Sequence, residues 1–237
     1  MPVGLFSKRV QDAVGLSPTD LELLKALRVT ERTLDNREPL CRQGDASTQC
    51  GVVHAGFIAS YKIANDREQI LAFYVPGDFP DLQTLFLPVS DHSVVSIGRS
   101  RVGLISHSDL KNVLAASPNL ASIFRRETTI QATILREWIC NVAARDALSC
   151  IAHLLCEIAF RMKAVDLLTD DSFQLPLTQQ DLANASGISI VHVNRTLQEL
   201  RKRRLIRWVN RTVTLSNFEE LKRIAQFEPD YLLANSA

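Results

Sequence analysis

What this chain of 237 residues lacks narrows the field before anything else is read. No apolar run approaches the roughly 18 residues that a membrane-spanning helix needs. The opening stretch, MPVGLFSKRVQDAV, sets charges inside a short apolar part and has no signal-peptide order, so a cytoplasmic protein is expected. The five cysteines form no Cys-x-x-Cys pair and lack the clustered spacing of iron–sulfur ligation. Reduced thiols acting as small buried hydrophobes are the better account of them. The five histidines, His54, His92, His107, His153 and His192, are scattered without metal-ligand spacing. There is no nucleophile elbow with Ser-His-Asp order, no phosphate-binding glycine loop and no recognisable carboxylate pair, which argues against an enzyme. Internal repeats and low-complexity segments are also missing. A formal net charge of +1 means that overall charge does not draw this chain to nucleic acid.

What is present is an ordinary globular composition, 46% apolar and 22% charged, in a length that suits one large or two ordinary domains. The charge is unevenly placed. From Arg195 to Arg211 seven Lys or Arg (Arg195, Arg201, Lys202, Arg203, Arg204, Arg207, Arg211) face one acid, Glu199. Such a local excess suits a phosphate backbone.

That basic run belongs to the most informative stretch, LTQQDLANASGISIVHVNRTLQELRKRRLIRWVNRTV, residues 177–213. Thr178 is a good N-cap, and Asp181 complements the positive end of a helix dipole in the first turn. Leu182, Ala183 and Ser186 give a short helix a small inner face. Gly187 can turn the chain through positive φ. Ser189 can cap a second helix whose inward face is Val193, Leu197 and Leu200. Two short helices joined by a glycine turn make a helix-turn-helix. Leu205–Trp208 and Thr212–Leu215, flanking Asn210-Arg211, read as a hairpin, so the motif is winged. A glycine between amphipathic helices is common in proteins that never touch DNA, and a basic run alone is usually a solvated face. Cap, small residue, glycine, apolar plug, basic flank and wing in order predict a DNA-binding winged helix.

Upstream, Ser17-Pro18 opens a helix over Asp20–Leu27, since proline suits a first helical turn. Between about Thr33 and His107 the texture changes. Six of the nine glycines fall there, among short β-rich runs at Gly56–Ile63, Gln69–Val75, Ser93–Ile97 and Val102–Ile105. That pattern predicts an antiparallel sandwich or barrel. A helix is expected near Asp109, and Pro118 opens the longest helical signal, running to about Val142. At 1.5 Å per residue, about 24 residues span roughly 36 Å. Its stripe of Leu120, Ile123, Phe124, Ile130, Ile134 and Trp138 would suit a two-helix seam, the alternative being a helix lying across its own domain. Ala143–Met162 reads as a further helix, Asp170-Asp171-Ser172 as a connector, and Phe218–Phe227 as a last helix covering the wing.

Barrel, long helix and winged helix, in that order, resemble the Crp–Fnr superfamily of bacterial transcription regulators. The resemblance runs from about residue 20 to 225. It rests first on LTQQDLANASGISIVHVNRTLQEL and second on CRQGD (41–45) and YVPGDF (74–79). It implies an α+β fold with an N-terminal antiparallel β-barrel or jelly roll over 1–117, a dimerisation helix over 118–142 and a winged helix-turn-helix domain over 143–237. It further implies a homodimer on a two-fold symmetric duplex DNA site, with RNA polymerase and a small-molecule effector as further partners. Pairing along the long helix would use Ile123, Ile130, Ile134 and Trp138. Base reading falls to Ile190, Val191 and Arg195, with Ser189, His192 and Asn194 beside them. Thr178, Gln179, Gln180, Ser189 and Arg201 are assigned to the DNA contact as well, Thr178, Gln180 and Ser189 matching phosphate-contact positions, which orient without specifying sequence. Arg195 can donate two hydrogen bonds to a guanine edge. Family members often carry Arg or Glu where this chain has Ile190 and Val191. Those apolar side chains can touch a thymine methyl but cannot read G·C by hydrogen bonding, so the site sequence should differ from that of the cyclic-AMP receptor protein.

In cyclic-nucleotide-binding relatives a Gly-Glu holds the ribose and an Arg-Ser the phosphate. Here Gly77-Asp78, followed by Phe79, is offered for the first and His92-Ser93 for the second. A mostly neutral histidine lacks the permanent charge and donor fork of arginine. Pro80 also intrudes near the start of the cassette. A cyclic nucleotide is therefore disfavoured and the effector left open. The competing functional reading is a ligand-binding or protein-interaction module of the same fold that has lost specific DNA binding.

Overall fold

The computed structural model describes residues 3–232. Two helices, α1 (Gly4–Val14) and α2 (Pro18–Ala26), lead into the strands. Helix α2 starts with a capping box in which Ser17 Oγ accepts from Asp20 N–H and the Asp20 carboxylate accepts from Ser17 N–H, satisfying two otherwise orphaned donors. Strands β1 (Thr30–Leu34), β2 (Pro39–Cys41), β3 (Gln49–Ala64), β4 (Arg67–Tyr74) and β5 (Ser93–Ser106) form one antiparallel sheet. Its order is β1-β5-β3-β4, with β2 paired to the first residues of β5.

The two β5 runs expected from the sequence are one strand, and β3 is likewise continuous. Both are broken in register rather than in chain. The β3–β5 pairing shifts on either side of Ala55, next to Gly56. Gly56 sits at φ +83, where a Cβ would lie 2.6 Å from Ser100 Oγ and 2.7 Å from the Arg99 carbonyl. Only glycine allows that approach. The two halves of the sheet share a core in which Leu34, Val53 and Val102 meet Ile58, Ala72 and Val94. The expected barrel or jelly roll is thus present as one folded sheet around an apolar interior.

Helix α3 (His107–Ala116) and the 26-residue α4 (Pro118–Ala143) follow, capped by Ser106 and Ser117. A second cluster seats the first turns of α4 on α1 and the barrel's end, where the rings of Phe6, Phe79 and Phe124 stand 5.1–5.4 Å apart. Helix α5 begins at Ala147 rather than Ala143, because Asp146 caps it by accepting from Ser149 N–H. It runs to Lys163. Then come β6 (Ser172–Gln174), α6 (Gln179–Ser186), α7 (Ile190–Lys202), β7 (Ile206–Val209), β8 (Thr212–Leu215) and α8 (Phe218–Ala225). The last helix packs on α5 rather than over the wing.

The long helix corrects one expectation. Ile123, Ile130, Ile134 and Trp138, assigned from the sequence to an intersubunit seam, are buried in the chain's own core. Trp138 stacks edge-on to Phe73 of the barrel at 5.7 Å. The physical reason is area: fully burying one large apolar side chain contributes about 1.5–3 kcal/mol, and the barrel and α5 offer these four full burial. A different stripe is left outside. Thr128, Ala132, Leu135, Ile139 and Val142 recur at alternating steps of four and three residues, with Leu135, Ile139 and Val142 exposed at 43%, 66% and 45%. That is the a/d spacing of a coiled-coil seam.

One apolar cluster is continuous from Phe57, Phe73 and Ile97 of the barrel through Trp138 and Ile158 to Val193 and Leu200 of the helix-turn-helix. The two ends of the chain are therefore packed against each other, not strung on a linker.

Candidate nucleic-acid interface

The scaffold helix α6 is fixed at its start by reciprocal bonds. Thr178 Oγ1 accepts from Asp181 N–H at 3.1 Å, and Asp181 Oδ2 accepts from Thr178 N–H at 2.8 Å. Gly187 ends the helix in the left-handed region at φ +68, and its N–H closes on the Ala183 carbonyl at 2.9 Å. A Cβ there would come within 3.2 Å of Val142 Cγ1, so the turn abuts the end of α4 as well. Ser189 caps α7 by accepting from His192 N–H at 3.2 Å. Val193, Leu197 and Leu200 point inward at 0–2% exposure, as the spacing required.

The opposite face of α7 is open. Ile190 and Val191 are 44% and 63% exposed, and His192 and Arg195 are exposed beside them. Asn194 is half-buried and donates to Gln179 Oε1 at 3.3 Å, while its own Oδ1 accepts from Gln198 at 2.9 Å. Gln180 donates to Asn184 Oδ1 at 2.6 Å. Asn194 and Gln179 therefore link the two helices by one side-chain hydrogen bond, and the bond of Gln180 lies within α6. Arg201, Lys202, Arg203, Arg204, Arg207 and Arg211 are all exposed, and Arg203 is paired with Glu199 on its own helix.

The wing is a hairpin turned at Asn210-Arg211, both at positive φ (50° and 62°), as two-residue hairpin loops require. Strand β6, which the sequence hid in a connector, adds a third member by pairing with β8. Helix α6 is also tied to the barrel: Asn184 Nδ2 donates to Glu68 at 3.0 Å, Gln69 Nε2 to the Ala185 carbonyl at 3.3 Å, and Arg37 bridges Glu68 and Asp181.

Comparison with known proteins agrees with this geometry. Residues 31–117 match the sequence profile of the cyclic nucleotide-binding domain, and residues 151–224 that of the Crp-like helix-turn-helix domain. The chain belongs to the Crp–Fnr superfamily. Among the superfamily's members, the transcriptional regulatory protein btr of Bordetella pertussis is 24% identical over 213 residues, covering 89% of this chain and 87% of that protein. The fumarate and nitrate reduction regulatory protein of Vibrio cholerae is 21% identical over 211 residues, covering 89% and 84%. The solved structure of FixK2 from Bradyrhizobium japonicum superposes with a TM-score of 0.76 at 22% identity, covering 84% of this chain and 98% of that one. Like other Crp–Fnr proteins, the chain is a DNA-binding regulator and not an enzyme.

In this Crp–Fnr chain the five residues expected to hold an effector do not form one cradle. Gly77 lies against Leu5 and Phe6 of α1. Phe79 is spent on the Phe6–Phe124 cluster. Asp78 Oδ2 accepts from Val75 N–H at 2.7 Å and from Arg161 Nη2 at 2.6 Å. His92 is engaged with Asp91 at 2.8 Å and Gln83 at 3.4 Å, and Ser93 accepts from Gln43 N–H. Among the described residues no hydrogen bond or ion pair joins the Gly77–Phe79 set to the His92–Ser93 set. The loop that starts with Gly77 carries two carboxylates, of which Asp78 is one. The other, Asp81, is 3% exposed and accepts from Gly51 N–H at 2.7 Å. Burial pushes its pKa up to about 7, against the pull of the Gly51 bond.

Arg161 is the centre of a buried network that sequence reading missed. It donates to the Phe73 carbonyl at 2.9 Å, to Glu157 at 3.2 Å and to Asp78. Burial works against its charge, but Asp78 and Glu157 outweigh burial and hold its pKa above the ordinary value. Glu157 in turn accepts from Trp138 Nε1 at 3.2 Å and from Tyr231 OH at 2.7 Å, with burial as the main cause of its raised pKa. Beside this network Arg9 of α1 pairs with Glu127 of α4 at 2.8 Å.

Four of the five cysteines, Cys41, Cys50, Cys150 and Cys156, are buried, and burial raises the thiol pKa of Cys41 to about 11 and of Cys50 and Cys156 to about 12. Cys140 is exposed on α4. Among the described residues no group of His, Cys, Asp or Glu could hold a metal ion, and no helix is long and apolar enough to cross a membrane.

Proposed function

We propose that this regulator acts in the cytoplasm as a homodimer that reads a palindromic duplex through the outer face of α7, and that it meets RNA polymerase there. The observation that carries the reading is the exposed Ile190, Val191 and Arg195 on a doubly capped helix flanked by unburied basic side chains. Arg195 is the hydrogen-bonding reader of a guanine edge. Ile190 and Val191 favour thymine methyls, which biases each half-site towards A·T next to that guanine. Thr178, Gln179, Gln180, Ser189 and Arg201 stand at the backbone on either side, where they orient the helix. Thr128, Ala132, Leu135, Ile139 and Val142 supply the intersubunit seam in place of the stripe named from the sequence. Two reading helices then face successive major grooves, about 34 Å apart.

The test is selection of bound duplexes from a random library by the purified chain, followed by gel shifts. A palindrome should emerge, with Arg195→Ala weakening specific binding by about 1–3 kcal/mol and non-specific binding hardly at all. Ile139→Glu should yield a monomer by sedimentation that binds the palindrome no better than a half-site. Failure to enrich any duplex at low salt, or an Arg195→Ala variant that binds as well as the parent, would favour the module that has lost DNA recognition.

A further inference from the structure

A partly enclosed space lies where α1, α4 and the C-terminal unit meet. Its volume is about 470 Å³, within the range of small-molecule sites. The walls are apolar: Val10 from α1, Ile123, Ile130 and Ile134 from α4, Phe160 from α5 and Phe218 from α8. The floor is ionic, made of Asp78, Arg161, Arg9 and Glu127. At the rim Lys163 and Arg126 stand with Asp12 and Asp166, and Lys8 pairs with Asp166 to tie α1 to the turn after α5.

The charges of the floor are already matched. Arg161 is bonded to Asp78 and Glu157, and Arg9 to Glu127, with Asp78 a further 3.7 Å away. An ionised head group entering here would meet one like charge for each opposite one, and would lose its water for little return. One polar need is unfilled. Arg9 Nε has no hydrogen-bond partner among the described residues and almost no accessible surface, so an entering oxygen reaches it by a shift of the partly exposed Arg9 side chain. A buried donor without an acceptor is costly, and a ligand that supplies the acceptor recovers that cost.

We infer that this junction is a binding site for an uncharged, largely apolar small molecule bearing one acceptor oxygen, a ketone, ester or similar carbonyl, which Arg9 Nε–H receives. The molecule's body occupies the space between α1, α4 and α8. It touches the N-terminal helix, the long helix and the winged unit at once, so it enters between the parts of the chain and not inside the folded sheet. The inference stands on the cavity and not on the DNA reading, and its test needs no DNA.

The probe is 6-propionyl-2-dimethylaminonaphthalene, a neutral ketone whose emission shifts to the blue in apolar surroundings, titrated into the full chain. The control is 2-dimethylaminonaphthalene, the same rings without the carbonyl. The expected result is saturable binding of one probe per chain with blue-shifted emission, about tenfold tighter for the ketone than for the control, the size of one charge-assisted hydrogen bond. Ala164 and Ala13 line the space and are half-buried, so a larger side chain at either one fills it without displacing core. Ala164→Trp and, independently, Ala13→Trp should abolish binding. Arg9→Lys keeps a cation for Glu127 but loses the Nε–H, and should bring the ketone and its control to equal affinity. Far-UV circular dichroism and melting curves identify which variants are folded. The site is overturned if the wild type shows no saturable blue-shifted binding, or if a folded tryptophan variant binds as before. The acceptor assignment is overturned if Arg9→Lys keeps the tenfold preference.

Discussion

Arg161→Met removes the cation at the centre of the buried network while keeping most of its stem volume. Three acceptors lose their donor: the Phe73 carbonyl, Glu157 and Asp78. The two carboxylates are 0% and 5% exposed, so water replaces the lost donor poorly. Breaking a buried ion pair from one side costs about 3–5 kcal/mol, a large part of the roughly 5–15 kcal/mol that holds a typical domain together. The cost has a pH signature. Without Arg161, the burial that already raises the folded-state pKa of Glu157 is no longer opposed by a cation. A carboxylate of that kind leaves the folded state holding more protons than the unfolded one, so stability falls as pH rises through the window between the two values. The penalty should thus be smaller at pH 5 than at pH 8. Urea unfolding followed by circular dichroism at both pH values measures it. Adding Asp78→Asn to Arg161→Met removes one stranded charge and should return part of the loss at pH 8. A penalty below about 1 kcal/mol at pH 8, equal at both pH values, would refute the network's role in joining barrel to α5.

Asp81 should impose a pH dependence of its own on the parent chain. Its folded pKa of about 7 lies above the ordinary 3.8, so stability falls as pH rises from about 4 to about 7; three units correspond to about 4 kcal/mol as an upper figure. Asp81→Asn keeps an acceptor for Gly51 N–H and should flatten that window in a series of unfolding curves; an unchanged slope would exclude the assignment. Gly187→Ala forces a side chain into the left-handed region and against Val142, costing about 1–2 kcal/mol by thermal melt. Pairing it with Val142→Ala should relieve only the contact and leave the conformational part.

The helix-turn-helix was legible because everything that makes it is local. Thr178, Asp181, Gly187, Ser189 and Val193 act within a few residues of themselves, and each took the place its chemistry required. The wing's turn was legible for the same reason. Two things were not. Phe73, Asp78, Glu157 and Arg161 meet across as many as 88 residues, and no spacing rule joins an acid after a glycine to an arginine on a distant helix. The long helix carries two apolar stripes, and the richer one, which reads as a seam, faces the chain's own core. The largest side chains go to the chain's own core, which leaves the sparser repeat of Thr128, Ala132, Leu135, Ile139 and Val142 as the stripe for the proposed seam. Strand β6 is three residues long and takes its pairing from β8 alone, so it left no periodicity to read.

The clamp of Asn184, Gln69 and Arg37 between α6 and the folded sheet bears on what operators this regulator tolerates. A reading head hung on a slack tether can follow half-sites that drift apart by a base pair, because the tether absorbs both the extra rise and the extra rotation along the duplex. Here the head is bolted to the body at its scaffold helix, so in the proposed dimer an inserted base pair has to be accommodated by twisting DNA or by breaking those bonds. Spacer length, and not only base sequence, should therefore be a strict criterion for the sites it occupies.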